Sequence, residues 1–152
     1  MGKAVFHKFL EKLSDGTYPW KSTTTFKALL VKSTSTYSPN PDHATIKDLF
    51  DNGLTEITAS GYARATLSDV TTYRNTTTDL IEFRCANLNF GEPAIGETVK
   101  GYVLYIHVDG TQNNDIPVAY DDTSTGLPMS TGGGTFVVSV PADGLFQLQA
   151  GT

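Results

Sequence analysis

Apolar positions along this chain follow two different rhythms. Phe6, Phe9, Leu10 and Leu13 recur at i, i+3, i+4 and i+7, which is one stripe of a short helix over residues 3–14. Ser14-Asp15 followed by Gly16 supplies its stop. So short a helix is marginal alone, and its stripe must dock on its own sheet or on another chain. A second helix is expected over Ala44 to Phe50, with Asp42 as its cap, Ile46, Leu49 and Phe50 on one side, and Asn52-Gly53 as its end.

Elsewhere the rhythm is that of strands. The first spans residues 24–33, where Phe26, Leu29, Leu30 and Val31 are too dense for a surface edge. Tyr18-Pro19-Trp20 ahead of it is a turn with an aromatic anchor, and Ser38-Pro39-Asn40-Pro41 behind it is a rigid bend. Further strands are predicted at about 55–59, 63–73, 79–89, 98–108, 115–121, 134–140 and 144–149. Along Val99 to Val108 both alternating sets are apolar, as in a central strand covered on each side. Asp109-Gly110 and Asp143-Gly144 are turn signals, and Ser130 to Gly134 is expected to be a flexible loop. The pattern predicts a mainly β chain, an antiparallel β-sandwich with a short N-terminal helix and one additional short helix. Residues 1–16 then form a helical arm and 17–152 the sandwich domain, with no internal repeat.

Composition agrees with sheet over bundle: among 152 residues there are 22 Thr, a residue that suits half-exposed pleated surfaces, and only 2 Met. The net charge of −5 is unevenly placed. Residues 1–32 carry six lysines against Glu11 and Asp15, a net +4, whereas the rest carries five basic and fourteen acidic side chains, a net −9. A basic front on an acidic body can steer docking to an acidic protein surface, or it can be a solvated helix face that keeps the chain soluble. Nucleic acid is not an expected partner, because the acidic body repels phosphate. No segment reaches the length of a membrane span, and residues 4–13 are interrupted by His7, Lys8, Glu11 and Lys12 where a secretory signal would be apolar. Phe6 stands where a myristoylation signal needs Ser or Thr, and the sequon Asn75-Thr76-Thr77 has no meaning without secretion. The chain reads as cytosolic at synthesis.

Candidate chemistry is sparse. The single Cys85 excludes an internal disulfide, and its apolar surroundings predict an inert buried thiol. His7, His43 and His107 share no metal-ligand spacing; His43 is expected in a surface turn and His107 as a hydrogen-bonded core or interface residue. Asp109, Asn113, Asn114, Asp115, Asp121 and Asp122 are rich in oxygen, yet the spacing departs from an EF-hand loop and predicts a solvated loop. Ser130 to Thr135 lacks the lysine and the glycine spacing of a phosphate loop. No catalytic residue, cofactor or metal is expected, and the chain is not expected to be an enzyme.

The order of seven elements resembles a family of small virion structural proteins of tailed bacteriophages, over roughly residues 4–149. A short helix ends in Asp15-Gly16, and Phe26 to Val31 matches an apolar I-K-V-A-L-L run. Tyr37, Pro39 and Asp42 match a Tyr-x-Pro-x-x-Asp-x-His element, with His43 standing one position ahead of the family's histidine. Glu56, Ile57, Gly61, Tyr62 and Ala63 follow, then Tyr102 with Tyr105. Gly133-Gly134 with Phe136, and finally Gly144-Leu145 with Leu148, complete the series. Arg64-Ala65-Thr66 stands where the family has a second glycine cluster, and Val140 where it has a late tryptophan.

The resemblance implies a capsid decoration (cement) protein that binds the outer surface of the mature head, stabilises it, and has the major capsid protein as partner. The alternatives are a tail or fibre-anchoring component, and a carbohydrate-binding module on the virion surface using aromatics such as Tyr18, Trp20, Tyr37, Tyr62 or Tyr73. Localisation to the virion, assembly in the host cytoplasm, and self-association as a trimer or dimer are expected with it. The expected anchoring surface is the N-terminal segment, through Lys3, Phe6, Lys8, Phe9, Lys12 and Leu13, with Trp20 as an aromatic contact; the competing expectation makes Trp20 a core anchor.

Overall fold

The computed structural model describes residues 3–149. All its strand pairs are antiparallel, and two short helices accompany them, so the chain is mainly β in a sandwich-like arrangement. The large sheet has the order β1 (Lys3–Val5), β8 (Ile116–Asp121), β7 (Thr98–Ile106), β2 (Phe26–Lys32), β3 (Ala65–Thr66). β9 (Met129–Ser130) pairs with the start of β7. Two small sheets complete the set. One joins β10 (Val137–Val138) to β6 (Leu88–Asn89), and the other has the order β11 (Phe146–Gln149), β5 (Leu80–Arg84), β4 (Thr71–Asn75).

The double-sided apolar pattern of β2 and β7 is explained by their position. Register pairs Phe26 with Ile106 and Leu30 with Tyr102, and alternate side chains enter two separate cores. On one face Ala28, Leu30, Tyr102 and Leu104 meet Phe83, Phe90, Phe136 and Phe146 from the small sheets. On the other face Leu29, Val31, Val103, Tyr105 and Tyr120 meet Tyr37, Leu54 and helix α2 (Ile46–Asp51), which contributes Ile46 and Leu49. Loss of water contact on both faces is the main favourable term for such a sheet, about 1.5–3 kcal/mol for each large apolar side chain.

Several local expectations are corrected. Residues 3–5 form an edge strand on β8, with Lys3 opposite Asp121 and Val5 opposite Ala119; the helix α1 starts only at His7 (His7–Ser14). Residues 3–5 are therefore built into the sheet and α1 packs on the core, so the described part of this segment is not an appended helical arm; Met1 and Gly2 lie outside the described residues, as do residues 150–152. Phe6 and Phe9 enter opposite cores. Helix α2 is capped by Thr45, whose side chain accepts from the Asp48 N–H while Asp48 accepts in return from the Thr45 N–H. Asp42, the expected cap, is exposed and pairs with His7 at 2.9 Å.

The expected strand 55–59 contributes only a bridge between Glu56 and Val31. The expected strand 63–73 divides into β3 and β4, with Asp69 between them at φ +53°, because the chain leaves the large sheet there for a small one. The expected strand 79–89 divides for the same reason, β5 and β6 lying in different sheets.

Two carboxylates tie irregular segments down. Glu97 accepts from Lys32 Nζ at 2.6 Å and from the backbone N–H groups of Thr58 and Ala59 at 2.8 and 2.7 Å. The Lys32 bond and those N–H groups hold its carboxyl below the ordinary value of 4.5. A folded-state value below the unfolded one means stability that is present above pH 4.5 and lost as pH falls through the lowered value. Lowering the pH from about 7 to 3 is therefore expected to reduce the urea midpoint, and Glu97→Gln to reduce that dependence. An equal pH dependence in both chains would show that Glu97 contributes nothing to it. Near the other end of the sheet, Asp115 is buried and its Oδ1 accepts from the N–H groups of Val108, Asp109 and Gly110.

Candidate interaction surface

The N-terminal residues expected to meet a partner are largely spent within the chain. Phe6 and Phe9 are fully buried, and Trp20 is 3% exposed in the midst of Phe9, Phe26, Phe83 and Phe146. Its indole N–H donates to the Thr71 carbonyl at 3.0 Å, so Trp20 is a core anchor and not a surface contact. Leu13 is half-buried against the same core. Lys3 donates to the Leu145 carbonyl at 3.2 Å and lies 3.5 Å from Asp121. Lys8 pairs with Glu11, and Lys12 with both Glu11 and Asp15. The outer face of α1 is thus a ladder of alternating charge, and its lysines do not form a free positive patch.

Other residues singled out from the sequence take structural positions. Tyr37 Oη is 3.0 Å from His43 Nδ1, and the two rings lie 5.7 Å apart, so His43 is half-buried and not a surface turn residue. Burial pushes the Tyr37 phenol up to about 12. Arg64 donates to both oxygens of Glu56, at 2.8 and 2.7 Å, and to Tyr105 Oη at 3.1 Å. Tyr62 donates to Glu56 at 2.6 Å and accepts from the Leu30 N–H. This network clamps residues 56–64 to β2 and β7. Gly61 and Gly91 let the backbones meet there, since a Cβ at Gly61 would run into the Glu92 carbonyl oxygen.

The oxygen-rich stretch is not uniformly solvated. Asp115 and Asp121 are buried; Asp121 accepts from Tyr102, Ser124 and Thr123, while Asp109 closes its turn through Thr111 and Asn114. Among the described residues no group of three His, Cys, Asp or Glu side chains is placed to hold a metal. Cys85 is half-buried, and burial followed by the charge of Asp69 pushes its thiol up to about 12, which leaves little thiolate at neutral pH. No helix among the described residues is long and apolar enough to cross a membrane.

The surface that does offer apolar side chains lies elsewhere. Residues 88–99 and 129–138 run side by side as one irregular antiparallel ribbon. Asn89 pairs with Val137, Phe90 N–H donates to the Phe136 carbonyl, Gly133 to Pro93, Thr131 to Glu97, and Val99 pairs with Met129. The segment Ser130 to Gly134, expected as a flexible loop, is half of this ribbon, with Thr131 buried and its hydroxyl donating to the Ala94 carbonyl at 2.7 Å. Three of the five large apolar side chains that are exposed among the described residues sit on it: Ile95 at 79%, Val137 at 38% and Met129 at 37%. An aliphatic side chain as open as Ile95 gains little from packing within this chain. The sequence carried one clue: Ile95 stands in Pro93-Ala94-Ile95-Gly96, a turn-like stretch with no strand alternation to bury it.

Searches of the chain against protein-family models, curated proteins and solved structures find no match in any of the three.

Proposed function

We propose that this chain is a non-catalytic structural protein of a tailed-bacteriophage virion, and within the virion a decoration protein on the outer surface of the mature head. The observation that carries the reading is the order of the seven sequence elements that resemble those of small virion proteins, from Asp15-Gly16 to Gly144-Leu145. Their residues are those on which this fold turns. Phe26 to Val31 is the strand beside β7, Tyr37 and His43 bond to each other, and Glu56 and Tyr62 belong to the clamp on Leu30. Gly144 lies where a Cβ would strike the Phe83 carbonyl.

In this role the chain binds the major capsid protein in its assembled, expanded arrangement and stabilises the shell by linkage, because it favours the state that it binds. Repetition over many lattice sites compensates for a small contact per copy, and a trimer or dimer matches the symmetry axes of a capsid. The ribbon around Ile95 and Met129 is the surface we assign to that contact, in place of the N-terminal residues.

The test is the copy number of this chain in purified virions, by peptide mass spectrometry calibrated against the major capsid protein. A number comparable to the capsid protein is expected. A handful of copies would move the chain to the tail or a fibre base, and absence would remove the virion reading.

A further inference from the structure

A cleft of about 270 Å³ opens between the loop that carries Trp20 and the end of β7. Its walls are Thr17, Tyr18, Thr23 and Thr25 on one side and His107 with Val108 on the other. The loop is held in place from within. Tyr18 N–H donates to the Lys12 carbonyl, Thr24 N–H to Lys21, and the buried Thr24 hydroxyl to the Pro19 carbonyl at 2.8 Å. His107 N–H donates to the Thr25 carbonyl at 2.9 Å, which joins the two walls at the base of the cleft.

The imidazole is also steadied. Its Nδ1 lies 3.7 Å from Oδ2 of the buried Asp115, whose other oxygen is fixed by three backbone N–H groups. Gly110 packs against its Cε1 edge, where a Cβ would come within 3.0 Å. The side-chain hydroxyls of Tyr18, Thr23 and Thr25 are not tied to other groups of the chain by the hydrogen bonds that fix Thr17 and Thr24.

The chemistry of this lining selects one class of ligand. Hydroxyls both donate and accept, so they match a partner that also presents donors and acceptors at every edge. Neither a carboxylate nor a lysine or arginine lines the cleft, so a strongly charged ligand would find no counter-charge there. One aromatic ring, Tyr18, adds an apolar face for C–H groups. The volume lies below the roughly 300–1,000 Å³ of pockets that enclose drug-sized molecules, so it suits a single ring. From these features we infer that the cleft binds one neutral hexopyranose unit, such as a terminal residue of a surface glycan. The inference is independent of the virion reading.

Titrating the full chain with glucose, galactose, mannose and N-acetylglucosamine, and following backbone amides by two-dimensional NMR, tests it. At least one sugar is expected to shift the amides of Tyr18, Thr25 and His107 with half-saturation in the millimolar range. Thr23→Val with Thr25→Val keeps shape and removes only the two hydroxyls, both on exposed residues, so the fold should persist in the same spectra. The double variant is expected to weaken binding about tenfold, which corresponds to about 1.4 kcal/mol. Unchanged affinity in that variant overturns the assignment. So do shifts confined to the far sheet around Tyr73, or the absence of any shift with all four sugars together with silence on a glycan array.

Discussion

Removal of residues 1–16 is expected to abolish the fold, not merely the binding of a partner. The deletion strips the edge strand from β8 and takes Phe6 and Phe9 out of two different cores. Truncating a buried phenylalanine costs about 3–5 kcal/mol, so two of them approach the roughly 5–15 kcal/mol that stabilises a whole domain. The shortened chain should be insoluble, or should lose the cooperative thermal transition and the near-ultraviolet circular dichroism of the parent. A soluble truncation with an unchanged melting curve would mean that the N-terminal segment is an appendage after all. A double change of Lys8 and Lys12 to alanine separates charge from packing. These lysines face solvent among Glu11 and Asp15, and their loss should leave the melting temperature unaltered.

Trp20→Ala should have the largest effect of any single substitution. The indole is surrounded by four phenylalanines, with ring centroids 4.4–6.4 Å away, and its N–H holds the Thr71 carbonyl at the base of the β4–β5 hairpin. A cavity of that size costs about 4 kcal/mol, which at this chain length lowers the melting temperature by roughly 8–16 °C. Trp20→Phe keeps most of the packing and loses the hydrogen bond, so it should cost about 1–2 kcal/mol. Its distinguishing sign should be local: faster amide exchange in β4 and β5 than in β2 and β7. Equal loss of protection throughout the chain would mean that the indole acts only as core filling and does not tether the hairpin.

What could be read from the sequence was what local pattern encodes. The dense apolar runs of β2 and β7 announced a sheet covered on both faces, because no one-sided strand can place Leu29, Leu30 and Val31 in succession. The strand at Lys3–Val5 was not legible, since its partner β8 lies more than a hundred residues away and the stripe beginning at Phe6 imitates a longer helix. The cap of α2 was available as Thr45 with Asp48 three residues on, but Asp42 competes for the same role by type alone. Burial of Asp115 and Asp121 depends on backbone N–H groups and hydroxyls brought together by turns, which composition cannot rank. As for candidate sites, the N-terminal stripe was seen but its direction was not, because periodicity shows that a face is apolar and not what covers it. The ribbon is hidden in the sequence because its glycines resemble a linker, whereas in the fold Thr131 binds it to Ala94 and Glu97.

The pairing of β2 with β7 also sets a timetable for the growing chain. Phe26 finds its partner at Ile106, 80 residues later. At ribosomal speeds of about 5–20 residues per second, that strand waits roughly 4–16 s before its neighbour has been made. Through that interval Phe26-Lys27-Ala28-Leu29-Leu30-Val31 is an apolar stretch with neither of its eventual cores, since β7 supplies residues to both. The strand at the heart of the finished domain thus passes that interval as exposed apolar chain, open to a nascent-chain chaperone.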